Sequence, residues 1–161
     1  MAQPNVPALS EPIQQATIVR RDRSHTYKVF VRSLGAWWPN QPFSFGADEI
    51  KAVHVQESTG GRVHEVWADG TEKDWGRVVA WEPPNRLVLS WEVPPAEGTE
   101  VEIRFSSLGP TLTRVELEHR GWDKLPPERL SAVAEAVAGR GGDLNEGWSR
   151  ILGHFAAAAE S

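Results

Sequence analysis

The sequence predicts an α+β fold in which an antiparallel sheet carries helices on one face. Three observations predict it. From Ile50 to His119 the chain reads as strand, turn, strand, with breaks at residues 57–61, 68–70, 82–85, 93–98 and 106–110. Connections this short hold no crossover helix, so neighbouring strands run antiparallel, about six of them. Helical periodicity is confined to the stretches on either side. Two strands also alternate: Val101, Ile103 and Phe105 oppose Glu100, Glu102 and Arg104, while Val115, Leu117 and His119 oppose Arg114, Glu116 and Glu118. One sheet face therefore meets water.

Residues 1–12, MAQPNVPALSEP, carry three prolines and read as a disordered tail, leaving 13–159 as one domain. Ala16 to Val19 is a further β-prone run. Ser24 can cap a helix in which Tyr27, Phe30, Val31 and Leu34 form one stripe, with Gly35 placed to end it. In LGAWWPNQPFSFG, Pro39, Pro42 and Gly46 break regular structure, and a loop so rich in aromatics should pack against something. After the sheet, Pro126 and Pro127 open a helical segment with Leu130, Val133 and Val137 on one side, ending at Gly139. Asp143 and Glu146 form a capping box for the last helix, whose stripe is Leu144, Trp148, Ile151, Leu152 and Phe155. Its AAAAES end is expected to fray.

A chain of 161 residues suits one core, and the lack of cysteine removes disulfides, thiolate nucleophiles and cysteine-ligated metal centres. A net charge of −5 argues against nucleic acid as a partner. The one basic cluster, Arg20-Arg21-Asp22-Arg23, reads as a solvated strand end or as a phosphate site. No apolar window has the length of a membrane span and the first residues lack a signal-peptide pattern, so no membrane association and a cytoplasmic location are expected. The five histidines show no H-E-x-x-H and no tight cluster, there is no G-x-S-x-G, and GRGG lies between helices. No metal and no cofactor are expected.

Eight tryptophans remain to be explained, three of them in WGRVVAWEPPNRLVLSW. Trp75, Arg77, Val79 and Trp81 share parity on one strand; Leu87, Leu89, Trp91 and Val93 share it on the hairpin partner. Rings on these strands would meet on one face, joined by Trp67, Trp122 and Trp148. Two readings stand. Each buried ring removes roughly 150–250 Å² from water, on the order of 4–6 kcal/mol, so the set could be a generous core. Or the rings wall a cavity. An empty cavity of about 300 Å³ would cost roughly 7 kcal/mol and so would need water or a ligand.

VRRDRSHTYKVFVRSLGAWWP, STGGRVHEVWADGTEKDWGRVVAWEPPNRLVLSW, TLTRVELEHRGW and EGWSRILGHF together resemble the activator of heat-shock-protein ATPase homologue-like family. That family belongs to the helix-grip superfamily, which also holds START domains, polyketide cyclases and the birch-pollen allergen. The resemblance runs from about Thr17 to Phe155. It implies a helix-grip fold: about seven antiparallel strands curved around a long C-terminal helix, two short helices near the start, and a cavity between helix and sheet. It places Trp38, Trp91, His119 and Trp148 on family-like motif positions. The chain departs from the eukaryotic co-chaperones in lacking their separate N-terminal chaperone-binding domain, which argues against a chaperone partner. Residues 126–139 are an insertion before the last helix, read as a lid or packing element.

The expected ligand-binding residues are Trp38, Phe43, Trp67, Trp75, Trp91, Phe105, His119 and Trp148. Two residues are candidates for catalysis, His119 and Glu65. Strand parity turns His119 inward, as a general base or as a core histidine held by backbone. His64 and Glu65 are adjacent, so only one can enter the cavity, where Arg62 or Arg77 could pair with an acid; the plainer alternative is solvated strand residues. The favoured function is binding of a small apolar or aromatic molecule without catalysis. The alternatives are a cyclase or hydratase using His119, and a chaperone-interaction module; a homodimer is left open.

Overall fold

The computed structural model describes residues 12–38, 49–93, 96–131 and 144–161. Seven strands, β1 (Ile13–Val19), β2 (Ile50–Val55), β3 (Arg62–Trp67), β4 (Glu72–Glu82), β5 (Arg86–Trp91), β6 (Thr99–Gly109) and β7 (Leu112–Arg120), form one sheet. Their order is β1-β7-β6-β5-β4-β3-β2, and every neighbouring pair is antiparallel. The sheet curls into a half-barrel. Helices α1 (Arg23–Arg32) and α2 (Leu34–Trp37) join β1 to β2, and the long α3 (Leu144–Glu160) packs on β1, α1 and α2. This is the helix-grip arrangement that the resemblance implies. Residues 1–11 of the segment expected to be a tail, the Asp143 capping position and most of the 126–139 insertion lie outside the described residues; of the insertion, residues 127–131 are helical.

The helix ends differ in detail from the sequence reading. The N-cap of α1 is Asp22, not Ser24: its carboxylate accepts from the His25 backbone N–H at 3.1 Å. Both residue types cap well, and the one whose backbone leaves β1 in an extended conformation takes the role. Gly35 does not end α1, which stops at Arg32; it lies within α2, where a Cβ would stand 2.8 Å from the backbone nitrogen of Val53. The glycine lets α2 touch β2. The end of α3 is pinned at the β1–α1 corner. Ala159 is fully buried, the backbone N–H of Arg20 donates to the Glu160 carboxylate at 2.8 Å, and His25 Nε2 lies 3.0 Å from the Ala159 carbonyl oxygen. The basic cluster is thus part of this corner, since Arg21 also donates to that carbonyl and Arg23 donates to Asn85.

On β6 and β7 the expected alternation holds, with Val101, Ile103, Phe105, Val115, Leu117 and His119 all buried. The opposite face is an ion-pair lattice in which Arg120 binds Glu100, Glu102 and Glu118, and Arg86 binds Glu82 and Glu102. Burial alone would raise the pKa of Glu102; the hydrogen bonds from Arg120 and Arg86 outweigh it and hold the group below its usual range.

Strand β4 breaks simple parity. Against β3, Gly76 pairs with Val63 and Asp74 with His64, so Trp75 is an extra residue; against β5, Val79 is extra in the same way. Two bulges turn Trp75 and Val78 inward and leave Arg77 and Val79 exposed. Trp75 and Trp81 both reach the apolar core, as expected, but Arg77 and Val79 do not share their face. Between the bulges β5 comes very close: a Cβ on Gly76 would sit 1.8 Å from the Ser90 carbonyl oxygen. Gly76→Ala should therefore lower stability by at least about 2 kcal/mol, measured as a shift in the urea midpoint at unchanged slope; an unshifted midpoint would show that β4 and β5 can part there freely.

Candidate functional site

The candidate site is an indole wall on the inner sheet face, under α3. Trp38 follows α2, Trp75 is on the bulge of β4, Trp91 ends β5 and Trp148 is in α3. Ring centroids are 4.7 Å apart for Trp38–Trp75, 5.4 Å for Trp91–Trp148, 5.9 Å for Trp75–Trp91 and Trp38–Trp148, and 6.0 Å for Trp38–Trp91. These are edge and tilted contacts of the kind that stabilise aromatic pairs. All four rings are buried. Trp37 links them to a second aromatic group, Phe30, Phe155 and Phe105.

A carboxylate closes one end of the wall. Glu65 has no solvent exposure, so the reading of it as a solvated strand residue is overturned. Its two oxygens accept from different indoles, Oε1 from Trp75 Nε1–H at 2.7 Å and Oε2 from Trp67 Nε1–H at 2.6 Å. Trp67 lies two residues on along β3 and so shares its face; the bulge brings Trp75 across from β4. Adjacent His64 points to the other side of the sheet, near Glu72 at 3.9 Å. Burial, then the charge of Arg62, hold His64 below its ordinary pKa. The arginines considered as partners for the inner acid turn outward: Arg62 pairs with Glu72 and Asp74, and Arg77 reaches the Gly60 carbonyl.

His119 closes the other end. Its ring is 1% exposed and lies 4.4 Å from the Trp122 ring and 5.9 Å from that of Trp91. Trp148 Nε1–H donates to Nδ1 at 2.9 Å, so Nδ1 carries the lone pair and Nε2 the proton. That proton points at Thr99 Oγ1, 2.7 Å away, whose own hydroxyl donates to the Ala96 carbonyl at 2.6 Å. Both ring nitrogens are engaged. The imidazole is therefore a core histidine held by side chains, not by backbone as the sequence reading supposed, and its burial lowers the pKa to about 3. A general base would have to leave this network before taking a proton.

Of the expected ligand-binding residues, the structure brings together Trp38, Trp75, Trp91, His119 and Trp148. Trp67 joins them through Glu65 and is only half-buried. Phe105 is on the same sheet face but packs with Tyr27 and Phe30 at 4.9 and 5.9 Å. Phe43 lies outside the described residues. Sequence reading missed Thr99, for which a threonine opening a strand gives no signal, and Trp37, hidden beside Trp38. Among the described residues no three His, Asp or Glu side chains cluster as metal ligands, and no helix is long and apolar enough to cross a membrane.

The neutral His119 makes stability depend on pH. Its folded pKa lies below the unfolded value of about 6.5, so its contribution is complete above that value and is lost as pH falls towards about 3. Between pH 8 and pH 5 the wild type should lose about 2 kcal/mol more stability than His119→Asn, read from urea midpoints of both proteins. Equal losses would mean that the ring titrates as if open to water.

Among curated proteins none matches the sequence. Solved structures do. An anthrahydroquino-γ-pyrone synthase, Txn09, is 25% identical, with 91% of this chain and 96% of that chain covered at a TM-score of 0.60. The self-sacrificing resistance protein CalC from Micromonospora echinospora is 23% identical over 94% of this chain and 95% of its own, with a TM-score of 0.62. A protein from Aeromonas hydrophila in the same family as the model below is 20% identical over 93% and 92%, with a TM-score of 0.54. With the family model for the Activator of Hsp90 ATPase homolog 1-like protein matching residues 22–160, the chain belongs to that family.

Proposed function

We propose that the protein binds a small, planar, largely apolar aromatic molecule against the indole wall and does not transform it. The observation that supports this reading is the wall itself: four indoles in mutual contact, with one buried acceptor group at each end, Glu65 and His119. Stacking surface with a few fixed polar groups is the usual make-up of a small-molecule site. Txn09, the 25% identical neighbour, is named for a fused-ring aromatic product. A guest enters by parting rings that touch, for example Trp91 from Trp148, and replaces each lost ring contact, worth about 0.5–1.5 kcal/mol, with its own stacking.

A second reading, catalysis of the cyclase type, is favoured by one observation, a carboxylate held inside an apolar wall. In that case Glu65 is the acid or base and His119 is a fixed support.

Titration with 1,4-dihydroxyanthraquinone, followed by tryptophan emission, separates these readings from a plain core. Saturable quenching is expected, with affinity reduced at least about tenfold in Trp91→Ala, checked against circular dichroism to confirm folding. Emission that does not respond, in a protein whose indole resonances also do not move, would contradict binding at the wall.

A further inference from the structure

The Glu65 end of the indole wall is closed by two donors that are held very differently. Trp75 is 1% exposed, touches Trp38 and Trp91, and sits on a bulge next to Gly76, where β5 comes closest. Trp67 is half-buried and makes no ring–ring contact among the described residues. Unlike the half-buried Trp81, it is not packed on the apolar core. Its ring is held by the hydrogen bond from Nε1–H to Glu65 Oε2 at 2.6 Å, and the exposed Lys73 places Nζ 5.9 Å from the ring centroid. Of the two donors, Trp67 is the one that a single side-chain rotation can withdraw.

The carboxylate resists that withdrawal. Glu65 has no solvent exposure, and a buried charged acceptor whose donor is removed bears the cost of its own desolvation. Trp67 therefore turns out towards solvent at least cost when another donor takes its place. A hydroxyl is suited to do so. An O–H group donating to a carboxylate prefers a separation of roughly 2.5–2.7 Å. Trp67 Nε1 already keeps such a distance from Oε2, so the exchange needs no movement of Glu65.

We infer that Glu65 selects hydroxyl-bearing aromatic guests, phenols in the broad sense: Trp67 swings away, and the phenolic O–H of the guest replaces its N–H on Oε2. The guest's ring then comes up beside Trp75, which holds the neighbouring oxygen. The inference rests on the reading that the wall binds an aromatic molecule, and it adds the chemical class that Glu65 admits. An aryl ether or a plain hydrocarbon displacing Trp67 would leave Oε2 short of a donor, and an aryl carboxylate would set a second negative charge beside Glu65.

Two compounds that differ at the hydroxyl, 2-naphthol and 2-methoxynaphthalene, test it by calorimetry. The wild type should bind the naphthol at least about tenfold more tightly than the ether. Trp67→Phe keeps a ring and removes the competing N–H, so it should strengthen 2-naphthol several-fold and the ether less; circular dichroism checks its fold. A merely structural Trp67 would give no such gain. In the wild type, saturating 2-naphthol should move the Trp67 indole N–H, resolved by ¹⁵N NMR, to the position of a solvent-exposed tryptophan, while that of Trp75 stays protected from exchange. Equal, saturable affinities for the two compounds would overturn the inference and leave binding at the wall standing. So would a Trp67 resonance that does not move under saturating 2-naphthol, or a folded Trp67→Phe that binds it more weakly. No binding of either compound, nor of 1,4-dihydroxyanthraquinone, would overturn both the inference and the reading on which it rests.

Discussion

A buried indole brings one N–H donor with it, and satisfying that donor is the constraint on which this interior depends. A core of leucine and valine asks for no acceptors; this one asks for several. Trp37 and Trp122 use backbone carbonyls, of Val29 and His119. Trp67 and Trp75 share the carboxylate of Glu65, and Trp148 uses the imidazole of His119. The buried acid and the buried histidine, each expensive alone, are thereby the complements of the tryptophans. Strand bulge, carboxylate, wall and helix are coupled through these bonds, since Glu65 ties β3 to the bulge of β4 and His119 ties β7 to α3.

The same constraint shapes the functional reading. His119 was attractive as a base because it is an inward histidine, but an inward histidine that accepts from one indole and donates to Thr99 serves as a bracket between α3, β7 and the start of β6. In the proposed function, recognition falls to flat aromatic surface with polar groups at its ends. The wall is packed, with centroids 4.7–6.0 Å apart, so a guest there must displace ring contacts. A groove lined by Tyr27, Trp81 and Pro84, by contrast, is open at the surface.

Much of the fold was legible. The strands between Ile50 and His119, the wet and dry faces of β6 and β7, and the stripes of α1 and α3 follow from periodicity, which burial enforces along a regular element. What escaped was set by contacts across elements. Asp22 and Ser24 are both capping types, and only the path of the chain out of β1 chooses between them. The bulges at Trp75 and Val79 break a period of two that the sequence displays intact. Glu65 looked like a solvated residue because nothing local shows two indoles converging on it. The end of α3, written as four alanines, looked weak, yet its anchor is the β1–α1 corner. The groove was invisible for the same reason, Tyr27 and Trp81 being brought together only by the curl of the sheet.

The central claim is that the indole donors of Trp75 and Trp148 are locked onto Glu65 and His119. Hydrogen exchange of the indole N–H groups, resolved by ¹⁵N NMR, tests it most directly. Locked donors exchange only when the whole domain opens, so both should be as slow as the slowest backbone amides of β6 and β7 and should speed up with them in added urea. Exchange of either indole at the rate of a solvent-exposed tryptophan would contradict the account.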